Sequence, residues 1–333
     1  MKHAVVFGSS GFIGSHLVRR LRAEGWRVRG VDVKPPEAAD SAPEDFVQAD
    51  LRSPQVIEAA LEAGADELYQ LAADMGGAGY IFTGEHDADV MFNSGLINLH
   101  TAQIARRCKV GRVFFPSSAC VYPRHNQQDP AAPDCREESA YPADPDSEYG
   151  WEKLFAERLY LAFRRTHGLD VRIARLHNVY GPGNPWRGGR EKAPGALCRK
   201  VAEAGDGGEM EIWGDGGQTR SFLYIDDCLD GVRALMQSED PGPANIGSEE
   251  LISIDDFARL IMHVAGKRLT LLHVAGPTGV RGRVSDNGLM KRVAGWQPRV
   301  SLAEGISRTY QWVAAQLGQA VRERASVSSL SRA

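Results

Sequence analysis

The sequence predicts an α/β protein: a doubly wound parallel sheet joined to a smaller, loop-rich α/β domain. Three observations carry that prediction. Short β-branched runs alternate with amphipathic helical stretches through the first half of the chain, a glycine-rich turn joins the first strand to the first helix, and from Gly181 the texture changes to Gly and Pro punctuation. Strands that alternate with helices pair in parallel through right-handed crossovers.

The elements follow in order. Residues 3–7 read as a buried strand. Residues 12–24 place Phe12, Ile13, Leu17, Val18 and Leu21 at helical spacing and stop at Gly25, which makes them the first helix; residues 27–33 form the second strand. Further strands are predicted over 67–72, 112–116 and 171–176, with helices over 54–63, 87–107 and 148–167. Beyond them, Gly181-Pro182-Gly183, Gly188-Gly189, Gly207-Gly208 and the stretch 214–217 mark loops between short elements. Helices are predicted over 225–236, 254–265 and 301–324, and the Ser-rich end after Ala325 is expected to fray.

Length and composition exclude several classes. A chain of 333 residues has room for about two domains and a sizeable core. Its 43% hydrophobic and 25% charged residues, with a net charge of -4, are those of a globular protein rather than a disordered chain or a basic nucleic-acid binder. The five cysteines, Cys108, Cys120, Cys135, Cys198 and Cys228, include no C-x-x-C pair and read as reduced thiols, with no disulfide framework and no metal site. The apolar start is too short for a signal-peptide core and no later apolar run approaches membrane-spanning length, so a soluble cytoplasmic protein without a membrane partner is expected.

The turn Gly8-Ser9-Ser10-Gly11-Phe12-Ile13-Gly14 follows the first strand and opens the first helix. In that context Gly8 permits the tight turn, Gly11 lets the backbone approach a pyrophosphate, and Gly14 allows helix and strand to pack closely, while the helix N-terminus offers free N–H donors. Asp32 closes the second strand, where a carboxylate bonds the adenosine ribose and repels the extra phosphate of NADP. The predicted cofactor is therefore NAD. Asp50 and Leu51 sit beside the adenine on one reading, and Asp50 is a helix N-cap on the other.

The G-x-x-G-x-x-G spacing resembles the extended short-chain dehydrogenase/reductase family. Tyr149 and Lys153, at i and i+4, share one face of a helix that follows a central strand. They are either an ordinary exposed pair or a proton-transfer pair. In the second case the ammonium pulls the Tyr pKa, ordinarily about 10, downward, so that Tyr149 takes a proton as hydride leaves the substrate. The resemblance further implies that Lys153 holds the nicotinamide ribose and that Ser118, at the end of a strand, bonds the same substrate oxygen. Cys120 is either a thiol base beside that serine or a small buried residue packed under the site.

More specific segments are similar to those of the GDP-mannose 3,5-epimerase family. They are 73–80 around Met75-Gly76-Gly77, 117–123 around Ser118 and Cys120, 177–182, 186–194, 213–222 and 279–287. The likeness implies an NAD-dependent isomerase that oxidises C4 of a GDP-mannose ring, inverts C3 and C5 through enolates, and reduces C4 again. Cys120 then matches the base and Lys192 the acid on the opposite ring face. Only 8 of the 39 basic residues are Lys, and Arg, with a pKa above 12, does not donate a proton at neutral pH. Lys192 otherwise reads as a phosphate contact or a surface charge.

On the same likeness Asn178 and Arg283 lie near the sugar and pyrophosphate, and Gly76 and Gly77 let a loop approach the ring. Arg220 and Arg281 are either helpers there or structural ion pairs. Trp213 walls the guanine or caps a core turn. Ala78 and Tyr80 depart from the plant members, which carry Met and Phe. The NAD half is expected over 1–176 with a returning segment near 218–250, the nucleotide-sugar half over 177–217 and 251–324, and a flexible tail over 325–333. A homodimer through the helices 87–107 and 148–167 is implied by the relatives. Two other functions fit part of the motif set: a nucleotide-sugar 4-epimerase or 4,6-dehydratase, which needs only Ser118, Tyr149 and Lys153, and an NAD-binding sensor without turnover.

Overall fold

The strand His3–Phe7 is buried on both faces, and the sheet grows outward from it. In the computed structural model, which describes residues 1–330 and side chains through residue 319, seven strands form one parallel sheet. Their order is Ala244–Ile246, Val171–Leu176, Arg112–Ser118, Glu67–Gln70, His3–Phe7, Arg27–Asp32 and Asp45–Gln48. The chain first builds away from His3–Phe7 on one side and then returns to build on the other. That reversal opens a crevice at the carboxyl ends of the strands, where open α/β sheets bind ligands.

Alternate residues of the first strand feed two cores. Ala4 and Val6 pack with Leu17, Val18 and Leu21 of the helix Phe12–Ala23 and with the helix Ile225–Gln237, while Val5 and Phe7 pack with Ile57, Ile97, Ala156 and Tyr160 on the other face. Helices covering both faces explain why these strands read as continuous apolar runs. The helix Glu148–His167 is bounded by local chemistry. The Ser147 hydroxyl accepts from the Gly150 N–H at its start, Arg164, Arg165 and His167 fill its last turn, and Gly168 ends it in the left-handed region at φ 70°.

The second half carries three small sheets: Leu251–Ser253 with Thr219–Ser221 and Gly282–Arg283, Glu209–Trp213 with Thr270–Val274, and Val179–Tyr180 with Leu223–Tyr224. The strand Arg112–Ser118 runs two residues past its expected end and so delivers Ser118 to the crevice, while Arg27–Asp32 and Glu67–Gln70 stop one and two residues early. The sequence reading did not place the short strands of the second half, the sheet strand Ala244–Ile246 or the helix Gly288–Ala294. It also missed Asp45–Gln48, a four-residue edge strand, and the helix Ala193–Glu203, which opens with Pro194 in its first turn, where proline is tolerated. The last helix, Leu302–Leu330, covers most of the stretch expected as a tail, and 331–333 lie outside the described residues. Among the described residues no helix is long and apolar enough to cross a membrane.

Beneath the crevice, Arg175 makes a two-point ion pair with Glu157, at 2.9 Å from Nε and 2.8 Å from Nη2, and the Ser117 hydroxyl donates to the same carboxylate at 2.5 Å. Both charged side chains are almost fully buried. Removing one partner strands the other. Glu157→Gln is expected to cost about 3 to 5 kcal/mol in urea unfolding.

Candidate active site

The glycine turn is compact because it must be. A Cβ on Gly14 would lie 2.0 Å from the Gly8 carbonyl oxygen, so only glycine lets the helix start against the turn. Asp32 accepts from the Ser10 N–H at 3.0 Å through one oxygen and from the Lys34 N–H at 3.0 Å through the other, which ties the turn to the end of the second strand. The helix has no side-chain cap and no acidic residue in its first turn. The Ser9 and Ser10 hydroxyls are buried without partners among the described residues. Uncapped N–H groups beside orphaned hydroxyls fit a dinucleotide pyrophosphate. Asp50 does not cap a helix. Its carboxylate is held by the Arg52 backbone and guanidinium, with the ion pair at 2.6 Å, and Ser53 is the residue that precedes the next helix. Leu51 is buried.

At the carboxyl ends of the central strands, Ser118, Cys120, Tyr149 and Lys153 come together. Ser118 caps a short 3₁₀ turn, Ala119–Val121, by accepting from the Cys120 N–H at 3.2 Å. The first turn of the helix Glu148–His167 rests on that segment: a Cβ on Gly150 would lie 2.2 Å from the Cys120 carbonyl oxygen. Tyr149, Tyr80, Met75 and Cys120 share one apolar cluster. Tyr149 and Lys153 are therefore not an exposed surface pair; both are buried.

The protonation of this pair departs from expectation. Burial, reinforced by Cys120, raises the Tyr149 phenol well above its ordinary value, against a hydrogen bond from Ser118. Lys153 does not offset this. Its ammonium lies 5.7 Å from the Tyr149 ring centre, 4.8 Å from that of Phe115 and 3.9 Å from the Glu152 carboxylate. Burial lowers the Lys153 pKa, with Glu152 and Glu157 opposing. The buried Glu152, which no sequence pattern singles out, thus stands as an ion-pair partner of the lysine.

Cys120 is held from the other side by Arg283, whose Nη1 donates to Sγ at 3.2 Å. The same buried guanidinium donates to Gln127, at 2.7 Å, and to Asp146, at 2.7 Å. Arg283 therefore faces the thiol, with one N–H left on each of Nη1 and Nη2. Lys192, the residue before the helix Ala193–Glu203, lies within electrostatic reach of Cys120 and of the buried Cys228, and burial lowers its pKa. A cation that holds its proton weakly is suited to giving that proton to a substrate.

The other predicted residues are each held by their own neighbours. Asn178 adopts a positive φ of 36°, a conformation asparagine tolerates, and its amide donates to the Ser221 carbonyl at 2.9 Å. Arg220 bonds the carbonyls of Thr219 and Thr278 and has no carboxylate partner among the described residues; burial and then Arg283 lower its pKa to about 10. Arg281 is a structural ion pair with Asp215, at 2.9 Å. Trp213 is 42% exposed and so is not a core residue, with Gly276 tight against its indole and Gly79 across from it. Space beside Gly76 and Gly77 is filled by Tyr80 and by the Glu191 carbonyl respectively.

Comparison with known proteins sharpens this geometry. The model of the NAD dependent epimerase/dehydratase family matches residues 4–247. The chain is 42% identical over 330 residues to GDP-mannose 3,5-epimerase of Arabidopsis thaliana, covering 98% of this chain and 85% of that protein. Among solved structures, it is similar to UDP-glucose 4-epimerase of Thermotoga maritima with UDP-glucose. There the TM-score is 0.83 at 23% identity over 95% of this chain and 99% of the other, a likeness of fold alone. UDP-glucuronic acid 4-epimerase of Bacillus cereus, in complex with UDP-glucuronic acid and NAD, aligns with a TM-score of 0.79 at 25% identity over 95% and 99% of the two chains.

The glycine turn makes a direct prediction. Gly14→Ala is expected to weaken NAD binding at least about tenfold, a cost of about 1.4 kcal/mol, in a calorimetric titration, with the circular dichroism of the fold retained. Unchanged affinity would mean that the turn does not carry the pyrophosphate.

Proposed function

The chain belongs to the NAD dependent epimerase/dehydratase family, and from that membership we propose that it is an NAD-dependent isomerase of GDP-mannose. Its products are GDP-L-galactose, from inversion at C3 and C5, and GDP-L-gulose, from inversion at C5 alone. The observation that carries this reading is Cys120, held by Arg283 in the cluster of Tyr149 and Met75, with the loop of Lys192 fastened beside it at Gly77. A 4-epimerase needs Ser118, Tyr149 and Lys153 and has no use for a facing thiol and ammonium.

Gly8, Gly11, Phe12, Ile13, Gly14 and Asp32 would hold the cofactor, with Asp50 and Leu51 beside its adenine and Lys153 at its second ribose. When bound, NAD supplies the hydride acceptor for C4 and a positive charge that opposes what burial does to the Tyr149 phenol. Tyr149 takes the hydroxyl proton at C4, with Ser118 bonding the same oxygen. The ketone at C4 acidifies C3 and C5, and Cys120 removes a proton from one ring face to leave an enolate. Lys192 returns a proton from the other face, which completes the inversion. Both groups reset through solvent, and Tyr149 would return its proton to the C4 oxygen as C4 regains the hydride. Arg283 steadies the thiol, and Arg220, with no carboxylate of its own among the described residues, suits the pyrophosphate. Met75, Gly76, Gly77, Asn178 and Trp213 border the sugar and base.

We assign NAD binding to residues 1–176 with 218–250, and the nucleotide sugar to 177–217 and 251–324. A homodimer is supported by the exposed Phe92 and Leu99 on one long helix and Trp151 and Phe155 on its neighbour. Cytoplasmic placement is supported by five unpaired cysteines.

Cys120→Ser tests the assignment. The variant should still form the C4 ketone but lose proton exchange at C3 and C5 by about 100-fold or more, seen by NMR in deuterated water. Turnover left intact by Cys120→Ser, with change at C4 and no exchange at C3 or C5, would favour a 4-epimerase. The lowered Lys192 adds a pH signature. Lys192 is charged below its folded pKa and loses the proton above it, so turnover should fall on the alkaline side at a lower pH than an ordinary lysine, about 10.4, would set.

A further inference from the structure

Lys192 has no side-chain hydrogen bond among the described residues, so its place is set by the loop that carries it. That loop is fastened to the one that leaves the strand Glu67–Gln70. The Gly77 N–H donates to the Arg190 carbonyl at 3.1 Å, and a Cβ on Gly77 would lie 2.1 Å from the Glu191 carbonyl oxygen, so the two backbones touch.

Side chains close the junction at a single hydroxyl. Arg190 Nη2 donates to Tyr80 Oη at 2.9 Å, and the same hydroxyl donates to Asp74 Oδ1 at 2.9 Å. Arg190 Nη1 reaches that carboxylate oxygen at 3.3 Å, and Asn93 donates to the other at 2.9 Å. The Tyr80 ring is itself layered, with the Arg190 guanidinium 4.0 Å above its centre and His86 stacked at 4.0 Å. A guanidinium held by a carboxylate, a phenol and a ring face is fixed in both position and plane. Tyr80 also packs in the cluster that contains Tyr149 and Cys120. One side chain therefore touches both the thiol's surroundings and the loop of the ammonium.

We propose that Arg190, Tyr80 and Asp74 form a positioning clasp that holds the loop of Lys192 against the cluster containing Cys120. None of the three acts on the substrate; they set where the returning proton comes from. The inference rests on Lys192 being the acid of the reaction proposed above. A slack clasp should slow the proton return that follows C4 oxidation and leave the oxidation itself alone, so the 4-keto sugar should accumulate.

Arg190→Ala removes the guanidinium and leaves Tyr80, whose counterpart in the plant members is Phe, in place. With GDP-mannose in deuterated water, deuterium entry at C3 and C5 should fall about tenfold or more, as displacing a catalytic group does. The 4-keto fraction, trapped with borodeuteride as label at C4, should rise, while NAD affinity and thermal stability stay near those of the parent. Asp74→Asn should show the same signature more weakly, and Arg190→Lys should rescue it only in part, because an ammonium lacks the planar fork. If Arg190→Ala turns over normally with no added ketone, or slows ketone formation equally, the clasp is refuted while the functional reading stands. If the parent protein exchanges no deuterium, the reading falls and the clasp falls with it.

Discussion

The first turn of the helix Glu148–His167 lies on the Cys120 carbonyl, with room at Gly150 for a hydrogen and nothing larger. That contact brings a residue delivered by the strand Arg112–Ser118 and a residue delivered by the following helix into one cluster, though 29 positions separate Cys120 from Tyr149. The parallel sheet makes the meeting possible, since each strand ends on the same edge and each helix starts beside it. A larger residue at 150 would lift the helix and separate phenol from thiol. The rest of the site is arranged around that fixed pair: Arg283 on the sulfur, Lys153 one turn along the helix, Lys192 reaching in from the second half.

Burial then decides the protonation states. It raises Tyr149 and Glu152 and lowers Lys153 and Lys192, in each case disfavouring the charged form. Few charges act without a neighbour. Glu152 offsets Lys153, and Asp146 offsets Arg283 at 2.7 Å. Arg220 is the exception, a cation bonded to carbonyls alone. This distribution explains how a chain of slightly negative net charge can serve phosphate-bearing ligands: the positive charge that matters is local and uncompensated.

What was legible in the sequence is what depends on neighbours in the chain. The glycine turn, the Tyr149–Lys153 spacing and the helix ends at Ser147 and Gly168 are written within a few residues of one another, and they stand where the pattern puts them. Illegible were the partners that arrive through folding. Asp146 and Gln127 meet Arg283 across more than a hundred residues, and no local pattern announces the thiol contact that they accompany. Tyr80 and Arg190 each belong to a segment singled out in the sequence, yet the hydrogen bond between them spans 110 positions and no local signal announces it. Short elements were lost for a different reason. The edge strand Asp45–Gln48 is four residues long and partly exposed, too brief for alternation to show, and Pro194 and Gly195 disguise a helix start as a loop.

The central claim is that a thiol and an ammonium invert carbons flanking a transient ketone, and it is tested most directly by NMR of GDP-mannose turned over by the intact protein in deuterated water. The account predicts deuterium at C5 and C3 of the product, none at C4, and no net reduction of NAD, because C4 recovers the hydride it lost while its neighbours draw protons from groups in exchange with solvent. Turnover that leaves C3 and C5 in protium and changes only C4 would contradict it.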